Sequence, residues 1–127
     1  MKRLWISLAL LGLLSALSTV HIHALGRVTD ALSQQLSQAQ EQVRSQQWDQ
    51  AQATTQSAYD RWEDCALYLH ATLPHEDIDS IHSGYLEALS YLSAQEDPSE
   101  CCAVLARIIN EMHLLLDEEL PTLHNIF

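Results

Sequence analysis

The chain has 127 residues, with 17 acidic side chains against six lysines and arginines, for a net charge of −11. Every acidic residue lies beyond position 20, where only Arg27, Arg44, Arg61 and Arg107 oppose them, so that part carries −13. Such a surface excludes nucleic acid as a partner, because phosphate binding needs a basic face, and it keeps the domain off an anionic bilayer unless cations intervene.

The first element is the uncharged run Leu4 to Val20, preceded by Lys2 and Arg3. As a helix it rises about 25 Å, the short end of what spans a hydrocarbon core. Extension through His21, Ile22, His23 and Ala24 to Leu25 completes the span. Trp5 then sits at the interface, and Lys2 and Arg3 supply the positive-inside charge. A cleaved signal peptide is the alternative, since Ala16-Leu17-Ser18 offers small residues for cleavage after Ser18. The length of the run and the lack of a loop after it favour an uncleaved anchor. This reading gives residues 1–24 as a membrane anchor and residues 25–127 as a domain outside the cytoplasm. The alternative makes the protein secreted. No cysteine closely follows the run, so a lipid-modified N-terminus is not expected.

Leu25, Val28, Leu32, Leu36, Ala39 and Val43 step by three and four, a helical stripe that ends near Ser45-Gln46-Gln47. Trp48, Ala51, Thr55, Ala58, Trp62, Cys65 and Leu69 form a second stripe, on a helix reaching about Thr72. Leu73-Pro74 breaks it, because the residue before proline is pushed out of helical geometry. A third helix opens with Glu76 and Asp77, whose carboxylates suit a helix N-terminus, and carries Ile78, Ile81, Tyr85, Leu89 and Leu92. Gln95 to Pro98 is the next turn, with Ser99 at the start of a fourth helix. Its stripe is Cys102, Leu105, Ile109, Met112, Leu116 and Leu120, with Pro121 expected to kink or stop it and leave 122–127 as a tail. No strand pattern and no 34-residue self-similarity occur. The expected fold is all-α: an N-terminal transmembrane helix continuing into an antiparallel four-helix up-down bundle.

Trp48-x2-Ala51, Trp62 with Tyr68-x-His70, His75-x-Asp77-Ile78-Asp79 and the terminal Leu123-x-Asn125-Ile126-Phe127 accompany the basic start and apolar run. Together they resemble a bacterial family called domain of unknown function 4363. The resemblance runs the length of the chain and implies a small helical protein with an N-terminal membrane segment and no established activity. It also suggests a multi-pass membrane protein as partner. Pro121, just before the matching terminal motif, departs from a helix-continuing pattern.

Threading the bundle outward from the membrane places Gln46 at the far end and returns His70 and His75 to the near end. His21, His23, His82 and His124 join them there with Asp77, Asp79, Glu118 and Glu119, while His113 lies further out. His75, Asp79 and His82 fall at i, i+4 and i+7 on one helix face. With His70 nearby they form a candidate site for a divalent metal such as zinc, or a pH-responsive surface. The opposing reading is that the carboxylates dress a helix start and the histidines are interfacial polar residues. Asp79-x-x-His82 is a single imperfect echo of the paired Glu-x-x-His helices of di-iron bundles.

Of three cysteines, Cys65 and Cys102 lie on apolar stripes and Cys101 is expected to be partly exposed and able to cross-link two chains. Cys65 falls roughly 25 Å from the distal end of its helix and Cys102 within about 10 Å of it. A disulfide needs Cα atoms within about 7 Å, so no Cys65–Cys102 bridge is expected. Arg61, Asp60 and Glu63 read as a solvated helix face, and Trp48 and Trp62 as core. No phosphate-cradling loop or nucleophile elbow is present, so no enzyme is expected. The expectation is a membrane-anchored interaction module binding another membrane protein, with the metal- or pH-sensing module as the alternative. Nothing in the sequence sets the oligomeric state.

Overall fold

Four helices account for almost the whole chain. The computed structural model describes residues 1–72 and 75–126, with side chains at all of them except 22, 67–70, 72 and 117–126. Helix α1 runs Lys2–Arg44, α2 Trp48–Thr72, α3 His75–Ser93 and α4 Pro98–Ile126. Each packs on its neighbours in the chain, and α1 and α4 close the ring, which is the square arrangement of an up-down bundle.

The core follows from the three-four spacing. Leu32, Leu36, Ala39 and Val43 of α1 meet Ala51, Ala58 and Trp62 of α2, all buried. From α3 come Ile78, Ile81, Tyr85, Ala88 and Leu92, and from α4 Cys101, Val104, Leu105, Ile108, Met112 and Leu115. The small residues Ala51, Thr55 and Ala58 let α2 approach closely. Gly84 does the same for α3: a Cβ there would stand 3.0 Å from Ile108 Cγ1, so any larger residue must displace a fully buried neighbour.

Polar contacts fix the antiparallel register. Gln40 Nε2 donates to the Cys102 carbonyl at 2.9 Å, and His113 Nε2 lies 3.4 Å from Ser33 Oγ, so α4 descends alongside α1. Arg61 donates to Gln35 Oε1 at 2.8 Å between α2 and α1, and Ser80 to Glu111 at 3.2 Å between α3 and α4.

The two distal turns share one chemistry. Gln47 N–H donates to the Gln42 carbonyl and Gln46 N–H to that of Val43. Glu96 and Gln95 repeat the pattern on Tyr91 and Leu92. These are Schellman closures, in which the residue after the helix is left-handed. Here those residues are glutamines, Gln46 at φ 59° and Gln95 at φ 51°. A Cβ is strained in that region, where glycine is not. Gln46→Gly and Gln95→Gly should therefore each raise stability, by about 0.5–1 kcal/mol once glycine's entropy cost is set against the relieved strain, measurable as additive upward shifts in thermal unfolding. Asp97 then caps α4, its Oδ1 accepting from Ser99 N–H at 3.2 Å.

Arg107 of α4 donates to Glu87 of α3 and lies near Glu111. The hydrogen bond from Arg107 holds the Glu87 carboxyl below the ordinary glutamate range. A depressed carboxylate contributes stability above its unfolded-state value, about 4.3, and loses it as pH falls through the folded one. Both side chains are more than one-third exposed, which limits the pair to about 0.5 kcal/mol. Arg107→Gln should thus lower thermal stability slightly at neutral pH, with the difference from wild type shrinking as pH falls below about 4.3 and gone once Glu87 is protonated in the folded chain.

Two sequence expectations are corrected. The buried face of α4 is centred one residue earlier than expected: Cys101 is 1% exposed and Cys102 half-buried, with Ile108 rather than Ile109 at the centre. Because α4 contacts both α1 and α3, its wide face turns towards the middle of the bundle. Cys101 is accordingly shut away from intermolecular cross-linking. The second correction concerns Pro121, which does not stop the helix: the α4 backbone continues to Ile126. A proline removes a single hydrogen-bond rung, and the rest of the ladder carries the helix past it. Leu73, Pro74 and Phe127 lie outside the described residues, as do the side chains of Leu69 and Leu120.

Candidate functional site

The end of the bundle nearest the apolar run is built where α2 arrives and α3 departs. His75 is the first residue of α3 and exposed, Asp79 is exposed one turn later, and His82 is half-buried a turn beyond. They occupy one side of α3, as their spacing requires. Their partners differ, however. His82 turns across to α2, where its Nδ1 is 2.7 Å from Glu63 Oε1. Its ring also stands 5.6 Å from that of Tyr59, tilted by 46°.

Glu63, Asp79 and His82 line a cleft of about 180 Å³ between α2 and α3, with Trp62, Ala66 and Ile78 as its apolar wall. Trp62 Nε1 is buried with no hydrogen-bond partner among the described residues. The cleft thus pairs an imidazole with one carboxylate and sets a second carboxylate beside them. Among the described residues, no three of His, Cys, Asp and Glu converge in a way that could hold a metal ion. His75 has an interaction of its own. The side chains of His70, His124, Glu118 and Glu119 lie outside the described residues.

Glu63 is the residue that sequence reasoning passed over, as part of a solvated face. A signal for it existed: reflecting His82 through the Leu73–Pro74 turn brings it level with positions 63–66. Arg61 and Asp60 are exposed as expected and bond Gln35 and Gln56. Asp77 lies on the opposite flank of α3, in a shallow cleft with Ser80, Glu111, Leu114 and Leu115.

The three cysteines are free thiols. Cys102 sits beside Gln40, while Cys65 is level with the start of the core stripe on α1, roughly 14 Å away along the bundle at 1.5 Å per residue. Burial pushes the Cys101 and Cys102 thiols up, away from the reactive thiolate form.

Beyond the bundle, α1 continues without interruption. Its apolar stretch is long enough to cross a membrane, and none of it is buried against the other helices. A membrane anchor and a signal sequence both fit such a helix. His21 and His23 lie where it leaves the bundle, the first half-buried and the second exposed.

A family model described as Domain of unknown function (DUF4363) matches residues 19–126. The chain belongs to that family. The DUF4363 match takes in the whole bundle and the turn of α1 that leads into the apolar run, so His21, His23, Glu63, Asp79 and His82 all fall inside it. No curated protein and no solved structure matches the chain.

Proposed function

We propose that this chain is a membrane-anchored interaction module whose helical bundle lies outside the cytoplasm and binds another membrane protein close to the bilayer. The observation that carries the reading is the continuity of α1. One unbroken helix exposes Leu4, Ile6, Leu8, Leu10, Leu11, Leu13, Leu14, Leu17 and Val20 and then buries Leu25, Leu32 and Leu36 in the core. Exposed side chains of that kind on every side of a helix need a lipid environment or another helix. Because α1 runs unbroken through both parts, the anchor sets the direction of the bundle. The α2–α3 end, with His75, Asp79 and the Glu63–His82 cleft, is thereby held towards the bilayer, within reach of a neighbouring membrane protein. Lys2 and Arg3 before the run support the cytoplasm-to-outside direction.

The test is affinity capture of the tagged full chain from membranes in mild detergent, with mass spectrometry of its N-terminus. The expected result is an intact N-terminus and one integral membrane protein recovered in stoichiometric amount. A mature chain beginning at Thr19 would remove the anchor, and an intact chain recovered alone would remove the partner.

A further inference from the structure

Beyond the last apolar residues of the run, α1 carries a feature that the interaction reading does not use. Val20, His23, Ala24 and Arg27 line a notch of about 350 Å³ on its surface. His23 and Arg27 are one turn apart and both exposed. The charge pattern around Arg27 singles it out. Of the four arginines beyond the run, Arg44 pairs with Glu41, Arg61 bonds Gln35, and Arg107 holds Glu87. Arg27 alone among them has no hydrogen bond or ion pair among the described residues, in a part of the chain with 17 carboxylates.

Its height on the helix is equally specific. Arg27 is the first formal charge after Arg3. The two are separated by about 36 Å of helix, against a hydrocarbon core of about 30 Å and a full bilayer of about 40–45 Å. Both guanidinium groups therefore fall in the headgroup layers, on opposite sides. Guanidinium binds phosphate oxygens through two parallel N–H bonds, and a neutral imidazole adds one donor.

We propose that Arg27, with His23 beside it, holds the phosphate of an anionic phospholipid in the leaflet facing the bundle, with Val20 and Ala24 against the upper part of the lipid. This rests on residues 4–20 being an uncleaved anchor. The contact gives an otherwise repelled acidic domain one fixed point of attachment to the lipid surface.

The experiment is native mass spectrometry of the full chain in mild detergent supplemented with phosphatidylglycerol, counting retained lipid. Wild type should retain one lipid. Arg27→Gln should lower retention about fivefold, matching the roughly 1 kcal/mol of a basic residue at an anionic surface. Arg61→Gln, an exposed arginine on α2, should leave retention unchanged. Wild-type retention in Arg27→Gln, or equal loss in both variants, overturns the site. Displacement of the lipid by millimolar inorganic phosphate overturns the lipid as its ligand. The same spectra report the N-terminus: a chain starting at Thr19 overturns the anchor and this contact with it. An intact chain insensitive to Arg27→Gln overturns the contact alone.

Discussion

Replacing Tyr85 with alanine should cost about 3–5 kcal/mol, the range for deleting a large buried aromatic. Tyr85 is fully buried and heads the largest side chains of the core. Its ring lies 5.8 Å from that of Tyr59 and 6.3 Å from that of Trp62, and its hydroxyl reaches Met112 Sδ at 3.7 Å. One side chain on α3 thus joins α2 to α4, and its removal leaves a cavity that three rigid helices cannot close. A bundle of this size has about 5–15 kcal/mol in total, so the variant should lose about a fifth or more of its stability. Thermal unfolding of the full chain in detergent, followed by tryptophan fluorescence, should show a midpoint lower by about 15 °C or more. Tyr85→Phe separates packing from polarity. Burial pushes the phenol pKa upward, so the hydroxyl stays neutral, and a thioether is a weak acceptor. The phenylalanine variant should therefore fall within about 1 kcal/mol of wild type. A Tyr85→Ala chain melting within a few degrees of wild type would show that the ring is not a keystone. Equal damage from Tyr85→Phe would move the effect to the hydroxyl.

The helices could be read from the sequence because the breakers are few and the apolar spacing is regular. Leu32, Leu36, Ala39 and Val43 admit one buried face only, and α1 buries them. The fourth helix is different. Cys101 and Cys102 are chemically identical, and Ile108 and Ile109 nearly so, so spacing alone supports two phases one residue apart. Only the demand that α4 face both α1 and α3 chooses between them. The partner of His82 is hidden from the sequence for a related reason. Spacing along α3 put His75, Asp79 and His82 on one face, which is a property of a single helix. The orientation of the His82 ring is decided by Glu63 on another helix, and that pairing depends on the register across the α2–α3 turn. Polar residues at an exposed helix end have no hydrophobic alternation to announce their partners, so their contacts become visible only after the bundle is assembled.

Placing proline at Gly26 should leave the bundle folded and the anchor inserted while reducing capture of the membrane partner about tenfold or more, the scale of losing a 1.4 kcal/mol contact. Gly26 follows Leu25, the first core residue, and stands where α1 passes from the bundle to the apolar run. Proline there removes the N–H that would bond the carbonyl of residue 22 and crowds that carbonyl with its ring, kinking the helix. A kink above about 20° at the base of a 30 Å bundle moves its far end on the order of 10 Å. The core stripe from Leu32 to Val43 lies beyond the break, so the unfolding midpoint should change far less than for Tyr85→Ala. Gly26→Ala is the matched control: a Cβ at this position meets nothing within 4 Å. Alanine's helix propensity should raise stability by up to about 1 kcal/mol and leave capture intact. Full capture by the proline variant would show that the partner is held by the membrane segment or by the bundle independently. Loss of capture with an unchanged melt would instead assign to α1 the transmission of orientation from the bilayer to the binding end, a role that neither half of the helix can perform alone.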